Sequence, residues 1–369
     1  MSEPLPEAGW SREIVTLRNA RVYPAQVMTG RPQCGVVTAE GEDCLHAATW
    51  RGGIRMTRRV DAGDAPVAVL KGRHLWGGLY YGHFGHFMTE TMSRCWAFDQ
   101  PDIDSVLFAP KHDKLSEFQK YQSHFWTLLG LPVRERILRQ PMIVEELVVP
   151  GQGFGLGRIA RGTPEFRAAM RRMADRIPTD PPRRIYISRT RFNGRGGVLA
   201  EPVIERNMAA QGYAIMHPEK MDLPDQLRFY KSATHIVGVD SSAFHIAGMV
   251  ADPAKRIGFI LRRDNGAHDS IAAQIAGMTG HPPVIIDALT AHWLDPQAVQ
   301  SNHLSWGELD FPRLGRELAR HGFIDTTVPW RSPDAQDLSD SLNRIRLRQD
   351  TDLVRMGIEA QPAGAGIAS

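Results

Sequence analysis

Apolar and polar positions change rhythm along the chain. Between residues 13 and 60 the apolar residues come in short alternating runs, interrupted at Asn19, Gly30, Gly35 and Gly41. Alternation of period two with turn-forming breaks predicts antiparallel strands joined by turns. From residue 65 short apolar runs alternate with longer stretches whose apolar residues recur every three or four positions. Strands are expected at 65–70, 105–108 and 146–149, and helices at 81–98 and 115–129. This alternation favours an α/β layer.

The second half keeps the same pattern more strictly. Strands are expected at 184–188, 213–216, 235–239, 256–261 and 284–286, with helices at 201–210, 224–231, 241–250 and 269–278 between them. Parallel pairing through crossover helices is the economical arrangement, and it puts ligands beyond the carboxyl ends of the strands. Residues 311–321 and 337–358 are helical by pattern, and the tail after Gln361 is expected to be disordered. Two α/β halves joined near residue 160 predict a bilobed protein with a ligand-binding cleft between the lobes.

The most Gly-rich stretch lies at that join: Gly151-Gln152-Gly153-Phe154-Gly155-Leu156-Gly157. A dinucleotide fingerprint needs Gly where Leu156 stands and an acid for the ribose further on, and neither is present. The stretch reads instead as a mobile loop leading into a helix at 163–177.

Composition narrows the class. With 42% hydrophobic and 23% charged residues the chain has ample core material, which excludes a disordered, collagenous or disulfide-scaffold protein. Its 44 basic and 41 acidic residues leave +3, too little to make nucleic acid or an anionic membrane the main partner. The basic set is 37 Arg against 7 Lys, and Arg carries the rigid fork of donors that fits phosphate. Cys34, Cys44 and Cys95 form no ladder of metal-ligand spacings, so no structural zinc is expected and a reducing compartment fits. No apolar run reaches the roughly 18 residues of a membrane span, and the first ten residues are acidic and Pro-rich rather than a targeting signal. A soluble, cytoplasmic protein is expected, with peripheral membrane association left open.

Three constellations carry candidate chemistry. The first is Tyr80-Tyr81-Gly82-His83-Phe84-Gly85-His86-Phe87-Met88-Thr89-Glu90-Thr91-Met92-Ser93-Arg94. On a helix, His83, His86, Glu90 and Arg94 form one stripe. His86 or His83 could act as a general base, oriented by Glu90 with Arg94 offsetting charge. The same stripe could bind a metal, or could be a set of buried, paired histidines without chemistry. Gly78, Gly82 and Gly85 would leave backbone room for a ligand.

The second constellation is the strand Arg184-Ile185-Tyr186-Ile187-Ser188 running into Arg189-Thr190-Arg191-Phe192-Asn193-Gly194-Arg195. Arginines leaving the carboxyl end of a parallel strand could grip a phosphate, or could simply be a solvated basic loop. The third is an apolar strand from His235 running into Asp240-Ser241-Ser242-Ala243-Phe244-His245. Small hydroxyl residues opening a helix make an anion site from free N–H groups and the helix dipole. A carboxylate repels a diphosphate, so Asp240 reads as a helix cap or as an acceptor for sugar hydroxyls.

Together these segments resemble glycosyltransferase family 61. The resemblance rests on residues 81–94, similar to the family's His-Phe-x-His-Phe element with Glu and Arg following, and on the 184–189 strand with Arg195 and Glu201 after it. It continues through Gly212-Tyr213, His217-Pro218-Glu219 and Asp225-Gln226, and ends in the 233–245 block, covering roughly residues 15–290. It implies a GT-B-like fold: two Rossmann-like α/β lobes facing a cleft, with an antiparallel β-rich N-terminal segment. Residues 1–160 would form the acceptor-side lobe and 161–335 the nucleotide-sugar lobe, with 336–369 a closing helix and tail.

The implied activity is inverting transfer of a hexose or pentose from a nucleotide sugar to a glycan or other hydroxyl acceptor. No metal and no further cofactor would be required. A UDP-sugar is the first expectation for the donor, although the residues do not choose among UDP, GDP, CMP and dTDP. His83, His86 and Glu90 would be catalytic, and Arg189, Arg195, Gln226, Asp240, Ser241, Ser242 and His245 would bind the donor. Glu201 would position Arg195, and Gln226 would brace the nucleotide pocket. A metal-dependent hydrolase on the His83, His86, Glu90 stripe, and a non-catalytic glycan or nucleotide-sugar binder, remain the alternatives.

Overall fold

The computed structural model describes residues 3–7, 9–25, 30–60, 68–112, 114–130, 134–192, 196–349 and 352–358. Arg195 and the tail after Gln361, both singled out from the sequence, lie outside them.

The first sheet has six strands: β1 (Ile14–Tyr23), β2 (Gly35–Val37), β3 (Ala68–Tyr80), β4 (Ser105–Pro110), β5 (Arg134–Ile137) and β6 (Met142–Pro150). Their spatial order is β2-β1-β6-β3-β4-β5. The β1 pairings with β2 and β6 are antiparallel, as the alternating N-terminal pattern predicts, whereas β6-β3-β4-β5 is parallel. The strand expected at 65–70, whose residues 65–67 lie outside the described ones, is seen from Ala68 and runs on to Tyr80. Its continuation is hidden in the sequence by Gly72, Gly77 and Gly78. At Gly77 a Cβ would lie 2.5 Å from the Phe108 ring, and the register with β4 shifts between Trp76 and Gly78. These glycines mark a bulge and a close approach rather than the end of the strand.

The second sheet is fully parallel: β7 (Arg184–Ile187), β8 (Ala214–Met216), β9 (His235–Val239), β10 (Arg256–Ile260) and β11 (Val284–Ile286), in the order β8-β7-β9-β10-β11. In such a doubly wound sheet the order reverses between β7 and β9. The crevice beyond their carboxyl ends is where ligands bind. A smaller third sheet, absent from the sequence reading, joins Gly197–Val198 to β12 (Leu289–Leu294), β13 (Trp306–Leu309) and β14 (Val354–Gly357). The helix expected over 337–358 therefore stops at Gln349, because Val354–Gly357 pairs with β12 instead.

The helices are α1 (Phe84–Thr89), α2 (Lys120–Leu129), α3 (Pro164–Asp175), α4 (Glu201–Ala210), α5 (Leu223–Ser232), α6 (Ala243–Met249), α7 (Asp269–Thr279), α8 (Phe311–Arg320) and α9 (Ala335–Gln349). The largest apolar cluster draws on both main sheets and the helices between them, with Leu75, Phe87, Phe166, Ile185, Phe244 and Ile275 all buried in it. Burying these side chains together fixes how the two sheets face each other.

The Gly-rich 151–157 stretch is not an open loop. Residues 151–155 are buried; Gln152 exchanges hydrogen bonds with the backbone of Trp50, and a Cβ at Gly151 would collide with the Trp10 carbonyl. Its glycines answer to close packing, not to mobility.

Candidate active site

The carboxyl ends of β7 and β9, the start of α1 and the turn after β10 surround one cleft of about 740 Å³. It lies at the reversal of strand order, where an open parallel sheet leaves space for a ligand. Eight of the residues singled out from the sequence line it: His83, His86, Arg189, Gln226, Asp240, Ser241, Ser242 and His245.

The expected 81–98 helix is two pieces. After α1, residues Thr91–Ala97 form a 3-10 segment, so the stripe does not continue to Arg94. Arg94 turns inward, fully buried, and donates to the carbonyls of His46, Ala48 and Pro150 at 2.7–3.0 Å. Burial lowers its pKa to about 10, which leaves it charged at neutral pH. Three buried carbonyls absorb that charge, and this tertiary demand overrides helical continuity.

The cation beside Glu90 is Arg51, from the short hairpin that begins at Trp50. Its Nε and Nη2 donate to the two Glu90 oxygens at 2.6 and 2.9 Å, and Nη2 also lies 3.3 Å from His86 Nδ1. Glu90, wholly buried, accepts from His86 Nδ1 at 2.8 Å. With Nδ1 donating to a carboxylate, Nε2 is the basic nitrogen of His86. Arg51 sits 39 residues upstream, so nothing in the local spacing signalled it. Because Arg51 holds both Glu90 oxygens, the His83, His86, Glu90 stripe does not converge as ligands. Among the described residues no group of three His, Cys, Asp or Glu could hold a metal ion.

The three glycines do not leave room for a ligand. A Cβ at Gly78 would lie 2.8 Å from Arg94 Nη1, one at Gly82 2.7 Å from Leu115, and one at Gly85 2.8 Å from Ser242 Oγ. Gly85 instead lets α1 approach the Ser241-Ser242 turn, which brings the His86 pair to the mouth of the second sheet.

The cationic side of the cleft differs from the expected loop. Arg191 is exposed and does not line the cleft. The cations there are Arg189 and the adjacent Arg262 and Arg263, which follow β10 and escaped the sequence reading. Arg189 donates to the Gly196 carbonyl and stacks over Phe192; burial and the neighbouring Arg262 lower its pKa to about 10. Asp240 does not cap α6: Ser242 is the capping position, and no side chain bonds the helix start. Asp240 accepts from the Arg262 backbone and guanidinium at 3.1–3.2 Å, which ties up Arg262. Arg263 stands 3.9 Å from the same carboxylate, and its buried Nε makes no hydrogen bond. Ser241 Oγ is likewise buried without a partner.

Glu201 lies beneath this layer. It accepts from the Arg189 amide at 2.8 Å and from the Tyr186 hydroxyl at 3.2 Å, so the turn it braces among the described residues is that of Arg189. Burial raises its pKa to about 7. Gln226 donates to the carbonyls of Pro218 and Met221 and holds the cleft wall formed by Pro218 and Glu219. His245, on α6, meets Gln274 at 2.5 Å, and burial lowers its pKa to about 4. A neutral ring at that position carries no charge to pair with a phosphate.

Residues 84–257 match the family model described as Glycosyltransferase 61. That span contains His86, Glu90, Arg189 and the Asp240 to His245 turn, and leaves out Arg51, His83, Arg262 and Arg263. No curated protein matches the chain. Among the described residues no helix is long and apolar enough to cross a membrane.

Proposed function

We infer that this chain, a glycosyltransferase of family 61 over its residues 84–257, moves a sugar with inversion from a nucleotide-activated donor to an acceptor hydroxyl. The observation that carries the reading is the pairing of His86 with buried Glu90 in the same cleft that Arg189, Arg263 and the two serines line. In this reading the two main sheets act as GT-B-like lobes, residues 1–160 presenting the acceptor and 161–335 holding the donor. His86 Nε2 takes the proton of the acceptor hydroxyl as its oxygen bonds to the anomeric carbon. The bond from that carbon to the diphosphate breaks, and the diphosphate leaves with the electron pair. Arg263, whose Nε lacks a hydrogen bond, stabilises that charge together with Arg189 and the Ser241 and Ser242 hydroxyls. Asp240 sets the arrangement by hydrogen bonding Arg262, while Arg263 makes only a longer 3.9 Å ion pair with it and keeps its Nε for the ligand.

Thermal-shift titration with UDP, GDP, CMP and dTDP and their common sugars tests the donor side, since a ligand that binds only the folded protein raises its Tm. One nucleotide class should stabilise the protein, and its sugar form should be turned over with inverted anomeric configuration by NMR. Stabilisation by none of them, or retention at the anomeric carbon, contradicts the reading.

A further inference from the structure

The hydrogen bonds behind the cleft fix the proton on His245. Gln274, on α7, is buried and donates from Nε2 to the Gly155 carbonyl at 2.9 Å. A carbonyl only accepts, so the Gln274 amide has one orientation, with Oε1 against His245 Nδ1 at 2.5 Å. That oxygen accepts as well, so Nδ1 carries the hydrogen. Burial, and repulsion from His86 and His83, oppose a second proton despite the Gln274 bond and the Glu90 charge, and the imidazole pKa falls to about 4. The ring lines the cleft with its Nδ1 edge turned back to Gln274, which presents Nε2, with its lone pair, to the ligand.

A lone pair repels a phosphate oxygen and attracts a hydroxyl hydrogen. Ser241, four residues earlier, adds a buried Oγ without a partner that can donate or accept. An acceptor and a group that does both, lining one cleft, are together the complement of a hydroxyl. Arg189 and Arg263, the cations of the donor reading, line the same cleft as His86 and His245, so a sugar bound there occupies a volume that His245 borders. We propose that His245 Nε2 accepts a hydrogen bond from a hydroxyl of the transferred sugar, and that Gln274, anchored on the Gly155 carbonyl, is the positioning residue that keeps it an acceptor. This rests on the donor reading above and gives the Gly-rich stretch a task in the site.

Long-range proton–nitrogen NMR of the full chain reads the tautomer directly. Wild-type protein should show His245 protonated on Nδ1 and bare on Nε2 from pH 5.5 to 8, and Gln274→Met should let the Nε2–H form appear. The ligand arm uses whichever of UDP-glucose, UDP-N-acetylglucosamine, UDP-xylose and GDP-mannose stabilises the protein most, with its monodeoxy analogues and the bare nucleoside diphosphate. His245→Phe should weaken the parent sugar nucleotide about tenfold, the size of one hydrogen bond of about 1.4 kcal/mol. One deoxy analogue and the bare diphosphate should be nearly unaffected. An Nε2–H tautomer in wild-type protein, or equal losses for the bare diphosphate and every analogue, overturns the proposal and leaves the donor reading standing. Failure of every nucleotide sugar to bind wild-type protein overturns both.

Discussion

Glu201→Gln isolates one buried charge beneath the cleft. The carboxyl is 2% exposed, and burial raises its pKa from the ordinary 4.5 to about 7, against the Arg189 amide and charge that pull it down. Between those two pH values the folded protein keeps a proton that the unfolded chain has released. Stability from this group is therefore greatest below the unfolded value and is lost as pH rises through about 7. A difference of 2.5 units at about 1.4 kcal/mol each makes the loss about 3 kcal/mol. Gln keeps an oxygen for the Arg189 amide and the Tyr186 hydroxyl but adds an unpaired NH₂ costing about 1–3 kcal/mol. That cost does not vary with pH. Urea denaturation of both proteins from pH 4 to 8 separates the two effects. Stability of the variant minus that of wild type should climb by about 3 kcal/mol across the range, all other titrations being shared. A flat difference would refute the claim that Glu201 is buried as a weakened acid under the Arg189 turn.

Other residues give sharp expectations. Arg51→Ala leaves buried Glu90, among the described residues, with His86 as its only side-chain partner; since Arg51 is 28% exposed, the loss should be about 2–3 kcal/mol by denaturation. A loss under about 0.5 kcal/mol, as for a surface pair, would deny Arg51 that task. Gly85→Ala pushes a methyl to 2.8 Å from Ser242 Oγ, so stability should fall by about 1–3 kcal/mol, and Ser242→Gly in the same chain should recover most of it. An additive double variant would mean the two elements do not touch there. Arg263→Ala should weaken the preferred nucleoside diphosphate ten- to a hundredfold by titration, the loss of a charged hydrogen bond of about 1.5–3 kcal/mol. Unchanged affinity would remove Arg263 from the phosphate site.

The parallel half was legible in the sequence because its period switches cleanly between strand and helix: α4 begins and ends at the expected residues, Glu201–Ala210. The carboxyl-end turns followed from that topology, which is why Arg189 and the Asp240 to His245 turn were found. What escaped was set by contacts across the fold. The Gly77–Gly78 bulge obscured most of β3, and Arg94 was placed on the His86 stripe although three buried carbonyls draw it away. Arg51 left no signal, because its partner is 39 residues distant. Arg262 and Arg263 stand directly after an expected strand end, as Arg189 does. That position, read consistently across the sheet, could have found them. Val354–Gly357, four residues, all exposed, is too short for its pattern to distinguish it from a helix end.

The claim on which the account turns is that His86 deprotonates the acceptor. Steady-state kinetics of His86→Ala with the preferred nucleotide sugar and an acceptor turned over by wild-type protein test it directly. The account predicts that kcat falls about 10²- to 10⁴-fold while the KM for donor stays near wild type, the signature of a lost general base. Turnover within threefold of wild type would contradict it.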